Sequence, residues 1–598
     1  MAQTTVTRRR FVQGAALGAA SLTACGAAAA AEAPAAAPTA ENPIDYEVYH
    51  TDLLVLGTGN AGIWATQCAL QSGKKIMMVD KGPFRHSGAS NMNWDAWMLW
   101  SEYAGYRNPS WSLIDGATSA KAFEHLGGAA FNPWVQSINH GQTLVWRDEQ
   151  GMPQPETPML PWAVCSAFFR READDLFESG RVDVMDETMI TGFLVNDGRC
   201  LGAVGLHLPT GTMRVIRADA TIMATGGSPQ IHGWLSVGYR GINSTDNTGD
   251  AAMGAFRQGI SIGEAEFAQY DFNSIIFMDV AHTFGCGIGA DAGELELLYD
   301  ADHNRVFTDE EIAAGGLSNP DMSKRIAQKV FEEGKGTEHG GCYVTYDEKS
   351  FETVRYPIMR NIQFYRNHGY EPIGQFTEVA AEMFEHGGEP VVDETMMTEW
   401  AGLFNVRGAS AIGENGGSHM MHNRLYSSYT GNCAVEYLDA AEPVDESAID
   451  WSGVEAEMAR LHEIRTRKVE DGLRPWEIRR KIQEAGYHGF TIYRSTQMME
   501  EALAELARIR EEDMPRMMPA DDSTTYNQEW KAAIENYNLL DCAEVSIKAS
   551  LMREESRGAY IRPEFPDRDD ENWNCLLAWH LEDGEMVAEK RPYPPLEA

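Results

Sequence analysis

The sequence predicts an α/β protein of several domains, built around a Rossmann-type dinucleotide-binding unit. Three observations predict it. A buried strand near the start runs into a glycine-rich turn and a helix. A second strand follows and ends in an acid at the spacing such units use. Further glycine-rich segments return around residues 224 and 402, and helical patterns dominate from about residue 450.

The elements justify this in order. Thr51 to Leu56 is a continuous apolar run, the pattern of a strand buried on both faces. It enters Gly57-Thr58-Gly59-Asn60-Ala61-Gly62, and Ile63 to Ser72 has helical spacing. Lys75 to Val79 is the second strand and ends at Asp80-Lys81. The glycines let backbone approach a pyrophosphate, and the helix N-terminus offers N–H donors in a positive field. Asp80 is placed to accept hydrogen bonds from a ribose, with Lys81 beside it. Arg217 to Gly227 then reads as a strand ending in Ala224-Thr225-Gly226-Gly227, and Asn247-Thr248-Gly249-Asp250 opens a helix. Leu473-Arg474 begins another helical stretch, and Met498 to Arg510 is amphipathic.

The 598 residues are too many for one simple core. Hydrophobic content of 43% fits a globular chain rather than a disordered one. With 89 acidic against 49 basic residues, the formal charge of −40 disfavours nucleic acid and anionic lipid as partners. Nine cysteines are scattered without a C-x-x-C pair, so the chain shows no iron–sulfur run, zinc knuckle or c-type haem site of its own, and no metal site is expected.

Residues 1–41 read as an address. Thr7-Arg8-Arg9-Arg10-Phe11 precedes a short apolar run to Ala24, too short to span a bilayer. The paired arginines resemble the twin-arginine export signal, whose machinery moves folded proteins with their cofactors. An exported protein is therefore expected, periplasmic or on the outer face of the cytoplasmic membrane. Leu22-Thr23-Ala24-Cys25-Gly26 resembles a lipoprotein box, which would make Cys25 a lipid anchor. Simple cleavage in the Ala-rich stretch that follows is the equal alternative.

The later segments resemble a known superfamily. Ala224 to Gly227, Asn247 to Asp250, Gly402 to Gly408 with Gly413-Glu414, and Asn423-Arg424-Leu425 are similar to successive FAD motifs of the succinate dehydrogenase and fumarate reductase flavoproteins and of the adenylylsulfate reductase alpha subunit. Arg553 to Arg562, Phe565 to Asp570 and Asn572-Trp573 resemble the C-terminal signature of the same superfamily. The resemblance implies a split Rossmann-type FAD domain with an inserted α+β capping domain and a C-terminal helical domain. The expected bounds are 48–255 and 396–440 for the FAD domain, 256–395 for the cap and 450–598 for the helical domain and tail. It also implies that Glu414 binds the FAD ribose, that Gly249 and Asp250 lie near the flavin, and that Arg424 and Ser427 belong to the helix beside the isoalloxazine. Arg85-His86-Ser87-Gly88-Ala89 looks like the R-S-G-A of adenylylsulfate reductase, so Ser87, Gly88 and Ala89 are expected FAD contacts and the flavin is expected to be non-covalent.

The substrate motifs depart from the family. Where the family has Q-F-H-P this chain has Gln269-Tyr270-Asp271-Phe272. Residues 288–293 lose the polar side chains of T-E-x-x-R-G, the proton-donating arginine becomes Pro320, and a histidine becomes Met383. Arg424 survives. Proline has no proton to donate, so fumarate and succinate are not expected as substrates. The remaining polar groups are Tyr270, Asp271, His282, His386, His419, His422, Arg424 and Tyr429. Arg424 is read as an anion or carbonyl anchor, with His422 or a tyrosine as proton donor and His419, Tyr270 and Asp271 as further catalytic candidates. His282 and His386 fit satisfied core or surface histidines better.

The expectation is therefore an exported FAD-dependent reductase of a small organic electron acceptor, an activated alkene, fed by a separate cytochrome or iron–sulfur donor. An adenylylsulfate-reductase-like flavoprotein is the competing reading, although its nucleotide substrate is cytoplasmic. A flavin subunit with no substrate of its own is another. Denaturing the purified protein should release free FAD into the supernatant; yellow colour retained by the precipitate would refute non-covalent binding.

Overall fold

The computed structural model describes residues 44–84, 176–232, 244–274, 296–314, 324–346, 366, 369–393, 395–406, 419–444 and 449–592. Strands β1 (Tyr46–Leu56), β2 (Ile76–Val79) and β3 (Val182–Met185) run parallel. Helix α1 (Asn60–Ala69) connects the first two, as the glycine-rich spacing predicts. Leu53 to Leu56 and Ile76 to Val79 are all buried, which is why they read as unbroken apolar runs.

β4 (Thr188–Asn196), β5 (Arg199–His207) and β6 (Thr212–Met223) form an antiparallel meander. β6 lies parallel to β1 on the side away from β2, so the sheet has the order β3-β2-β1-β6-β5-β4. Asp197 and Gly198 make the first turn of the meander with φ of 48° and 73°, the paired positive angles of an Asp-Gly hairpin. After β6, helix α2 (Asp250–Arg257) opens from Gly249 and packs on β4.

The inserted unit is α+β. β8 (Ala268–Ser274), β11 (Thr377–His386), β10 (Cys342–Val344) and β9 (Leu298–Tyr299) form an antiparallel sheet. The chain then returns to the first domain. β13 (Leu403–Asn405) pairs parallel with β6 from Thr221 to Met223, so the dinucleotide sheet is completed by a segment late in sequence. Helix α3 (His419–Ala440) follows and packs along α1.

The C-terminal unit holds α4 (Trp451–Thr466), α5 (Pro475–Gly489), α6 (Thr496–Arg508) and α7 (Gln528–Met552). Local chemistry starts each helix. Asp450, Ser495 and Asn527 accept N–H bonds at three N-caps, and Pro475 opens α5. Beyond these helices the tail of the unit is β-structure. β14 (Cys575–Glu582) and β15 (Glu585–Pro592) form a hairpin, turned at Asp583-Gly584 with φ of 51° and 86°. β14 pairs with β7 (Ile262–Gly263), and β7 pairs with β12 (Glu389–Pro390). The hairpin therefore completes a sheet with the two strands that bracket the cap.

A buried ion cluster ties the same regions. Arg553 donates from Nε to Glu266 at 2.8 Å and from Nη1 to Glu555 at 3.0 Å. It also reaches the Trp573 carbonyl at 2.6 Å and the Cys575 carbonyl at 2.9 Å. Arg557 pairs with Glu555 and Asp570, and Arg562 holds the carbonyls of Ser550, Leu551 and Arg553. Replacing Arg553 with Met would leave Glu266 and Glu555 buried without their shared cation. Roughly 3–5 kcal/mol of stability should be lost. A urea titration of the purified protein checks this, and an unchanged midpoint would contradict it.

Candidate functional site

The strongest geometric constraint lies where β1 and β6 end side by side. Gly57 has φ of 102°, and a Cβ there would stand 2.3 Å from the Ala224 carbonyl oxygen. A Cβ on Gly62 would stand 1.9 Å from the Gly57 carbonyl oxygen. No side chain fits at either position. Gly57 N–H bonds the Val79 carbonyl at 2.7 Å and Ala224 N–H bonds the Leu56 carbonyl at 2.8 Å, fixing the loop over the strand ends.

Helix α1 begins at this loop with Gly59 as its N-cap. Gly59 has no capping side chain, and the first turn, which holds Ala61, has no acid. The N-terminal N–H groups of the helix need acceptors, and a phosphate supplies them. Asp80, at the end of β2, accepts from Thr58 N–H and Thr58 Oγ1, each at 2.6 Å, and from Gly82 N–H at 2.9 Å. The carboxylate is thus held at the loop mouth, where a ribose would meet it. These features fit the adenosine diphosphate part of FAD: a backbone cradle, an open helix N-terminus and an oriented acid.

The second wall agrees. Gly226 has φ of 71°, and a Cβ there would lie 3.3 Å from Asn247 Nδ2. Gly249 has φ of 72°, and its Cβ would lie 3.0 Å from Ser228 Cβ. The Ala224-Thr225-Gly226 turn and the Asn247–Asp250 turn are therefore neighbours. Lys81 and Asp250 are also fixed from outside the cradle. Their side chains are joined to each other at 2.7 Å. Lys81 also pairs with Glu535 at 2.6 Å, and Asp250 accepts from Asn538 at 2.7 Å. They tie the two turns of the cradle to helix α7.

Helix α3 carries His419, His422, Arg424 and Ser427, placing the first three on its opening two turns. Further along, α3 touches α1, and a Cβ on Gly431 would stand 2.3 Å from the Ala65 carbonyl oxygen. Ser427 is fully buried. Ser87, Gly88, Ala89, His282, Glu414 and Pro320 lie outside the described residues.

Tyr270 is corrected. Its hydroxyl donates to the Phe490 carbonyl at 2.7 Å and accepts from Arg494 at 2.9 Å. Arg494 is completely buried and also bonds the Glu266 carbonyl and Ser550. Tyr270 is thus a tie between cap and helical unit, not an available proton donor. Asp271 follows it on β8, opposite Glu382 of β11. His386 is buried and shares hydrogen bonds with Ser228 and Ser546, each at 2.8 Å, the arrangement of a satisfied core histidine. Met383, which the sequence resemblance matches to a family histidine, is buried opposite Tyr270.

Sequence reasoning missed His232. It is buried between Tyr270 and Tyr487, with ring centroids 5.6 and 4.6 Å away. Neither ring nitrogen has a hydrogen-bond partner among the described residues. Burial and the Arg494 charge push its pKa down to about 3, so it is neutral. Glu535 was missed as well. The available signal was a cluster of polar residues, Glu535, Asn536, Asn538 and Asp541, interleaved with apolar ones along the helix.

Comparison with known proteins accounts for this geometry. Residues 52–354, just over half of the chain, match the family described as FAD binding domain. Residues 479–594 match the family described as fumarate reductase flavoprotein C-term. One of the subunits of the fumarate reductase (CoM/CoB) of Methanothermobacter marburgensis is 26% identical over 564 residues, spanning 88% of this chain and 96% of that protein. A fumarate reductase flavoprotein subunit of Mycobacterium tuberculosis is 28% identical over 422 residues, spanning 67% of this chain and 70% of that protein. In fold, the chain resembles E. coli quinol fumarate reductase, with a TM-score of 0.74 at 21% identity, covering 91% of this chain and 97% of the other. It also resembles adenylylsulfate reductase of Archaeoglobus fulgidus, with a TM-score of 0.67 at 18% identity, covering 93% and 98%. The protein binds FAD, belongs to the FAD binding domain family, and is an FAD-dependent oxidoreductase similar to the fumarate reductase and succinate dehydrogenase flavoproteins.

Proposed function

We propose that this protein is an exported reductase that delivers a hydride from FAD to a small organic acceptor, an activated alkene other than fumarate. One observation carries the reading: the positions where the family holds fumarate with histidine and arginine are Asp271, Pro320 and Met383 here, while Arg424 remains on α3. The packing of α3 along α1, the dinucleotide helix, supports a place for its first turns at the flavin end of the site.

Bound FAD supplies the hydride at its isoalloxazine ring. The chain supplies the rest. Arg424 anchors an anionic or carbonyl oxygen of the acceptor and stabilises the charge that develops there. His422, or His419 one turn earlier, gives the proton to the other alkene carbon. The cap excludes water from the hydride step. Electrons enter from a separate cytochrome or iron–sulfur carrier, because the sequence has no haem or cluster motif of its own. Export by the twin-arginine route, with Cys25 as a lipid anchor or removed with the signal, places the reaction outside the cytoplasm in anaerobic respiration.

The test is direct. The purified protein is chemically reduced and mixed anaerobically with enoates, enones, N-oxides and sulfur compounds, and flavin reoxidation is followed by absorbance. An α,β-unsaturated acceptor should reoxidise the flavin much faster than fumarate. Arg424→Ala should keep its FAD yet lose that reoxidation by several orders of magnitude. Near-normal turnover in the variant, or fumarate as the best acceptor, would overturn the assignment.

A further inference from the structure

The turn after β2 and the start of α2 both border the FAD cradle, and both are held from outside it. Lys81 follows Asp80 directly, and its Nζ bonds the Asp246 carbonyl and Thr248 Oγ1, each at 3.0 Å, as well as Asp250. Glu535 reaches this group from α7, a helix of the C-terminal unit. Its side chain is 1% exposed, and its Oε1 lies 2.6 Å from Lys81 and 3.1 Å from Lys531. Its Oε2 pairs with Arg479. Lys531 in turn pairs with Asp246. One turn along α7, Asn538 donates to Asp250 and accepts from Arg257 at 2.6 Å.

We propose that Glu535 is a positioning residue for FAD: through Lys81 and Asp250 it sets the two cradle turns, so that FAD binding and docking of α7 are coupled. The charges support this. Lys81, Lys531 and Arg479 face Glu535, Asp250 and Asp246, three cations against three anions. Burial alone would raise the Glu535 pKa, but Lys81, Arg479 and Lys531 hold it well below the carboxylate range. Lys81 stays charged despite its burial because of Asp250, Glu535 and Asp246. Neutralising Glu535 leaves Lys81 one counter-charge fewer in a dry site and weakens the tie from α7 to the turn that carries Asp80. By reciprocity, whatever couples α7 to the cradle must also couple FAD to α7.

The experiment uses full-length protein with Glu535→Gln, Asn538→Ala and a control, Glu544→Gln. Glu544 lies on the same helix and pairs with Arg510 and Lys548, away from Lys81. FAD affinity is measured by flavin fluorescence on apoprotein. The gain in melting temperature on adding FAD is measured alongside. Glu535→Gln should bind FAD roughly 5- to 150-fold more weakly, the usual span of a coupling between linked sites, and its FAD-dependent gain should shrink. The loss on combining it with Lys81→Met should be less than the sum of the two single losses, because both act on one tie, and the control should match wild type. In wild type, adding FAD should slow amide exchange across residues 528–552. A merely structural cluster would lower the melting temperature of apo and loaded protein equally. FAD affinity within about twofold of wild type in folded Glu535→Gln would overturn the proposal. Should that variant not fold, the same result in Asn538→Ala would do so. Neither outcome depends on the acceptor, so the reductase assignment stands or falls separately.

Discussion

The carbonyl oxygen of Ala224 occupies the space a side chain at position 57 would need, and the rest of the structure follows from that contact. It is backbone against backbone, so no rotamer change can relieve a substitution. It requires β1 and β6 to be parallel neighbours, because only then do their C-terminal ends arrive together. Gly62 repeats the requirement one turn later by letting α1 descend onto the Gly57 carbonyl. With β1 on one flank of β6, the parallel segment β13 pairs with β6 near the same end. The chain therefore leaves to build the cap and returns to finish the sheet. A split dinucleotide domain is the topological result of that local approach.

The separate units are registered by polar residues spaced along α7. Glu535 and Asn538 reach the FAD domain, and Asp541 pairs with Arg257 and Arg510. Ser546 meets His386 of the cap, and Ser550 receives Arg494. Such groups add little net stability, since desolvation offsets most of the Coulomb gain. They do define one docking register. A slip of one helical turn would move Glu535 about 5 Å from its cations and leave buried charges unpaired. An apolar stripe would tolerate such a slip far better, because burial is not directional.

Local chemistry was legible in the sequence, and long-range partnership was not. The strand, turn, helix and acid from Thr51 to Asp80 follow from short-range pattern, and the structure has them at those places. The hairpin at Asp583-Gly584 was equally readable, as an Asp-Gly between two half-apolar runs, but the helical composition before it masked the signal. Lys81 was expected to face the cofactor because it adjoins Asp80. Its partners, Asp250 and Glu535, lie 169 and 454 positions away, and no periodicity connects them. Tyr270 failed for the same reason, since Arg494 and Phe490 decide what its hydroxyl can do.

The packing of β8 against β11 narrows where the proton of the reaction can originate. Met383 and Tyr270 are paired across these strands and both are buried, so an apolar contact fills the place of a family histidine. His386, three residues on, spends both ring nitrogens on Ser228 and Ser546. His232 is neutral and enclosed by Tyr270 and Tyr487. Each of these groups sits in a core that joins domains, where a proton donor would have to recharge without water. Helix α3 differs, because it packs along α1 and against β6. A donor on its first turns is set by the same backbone that seats FAD, whereas a donor on the cap would be set by a separate sheet. That is the physical reason to seek the acid at His422 or His419, on the element that also carries Arg424.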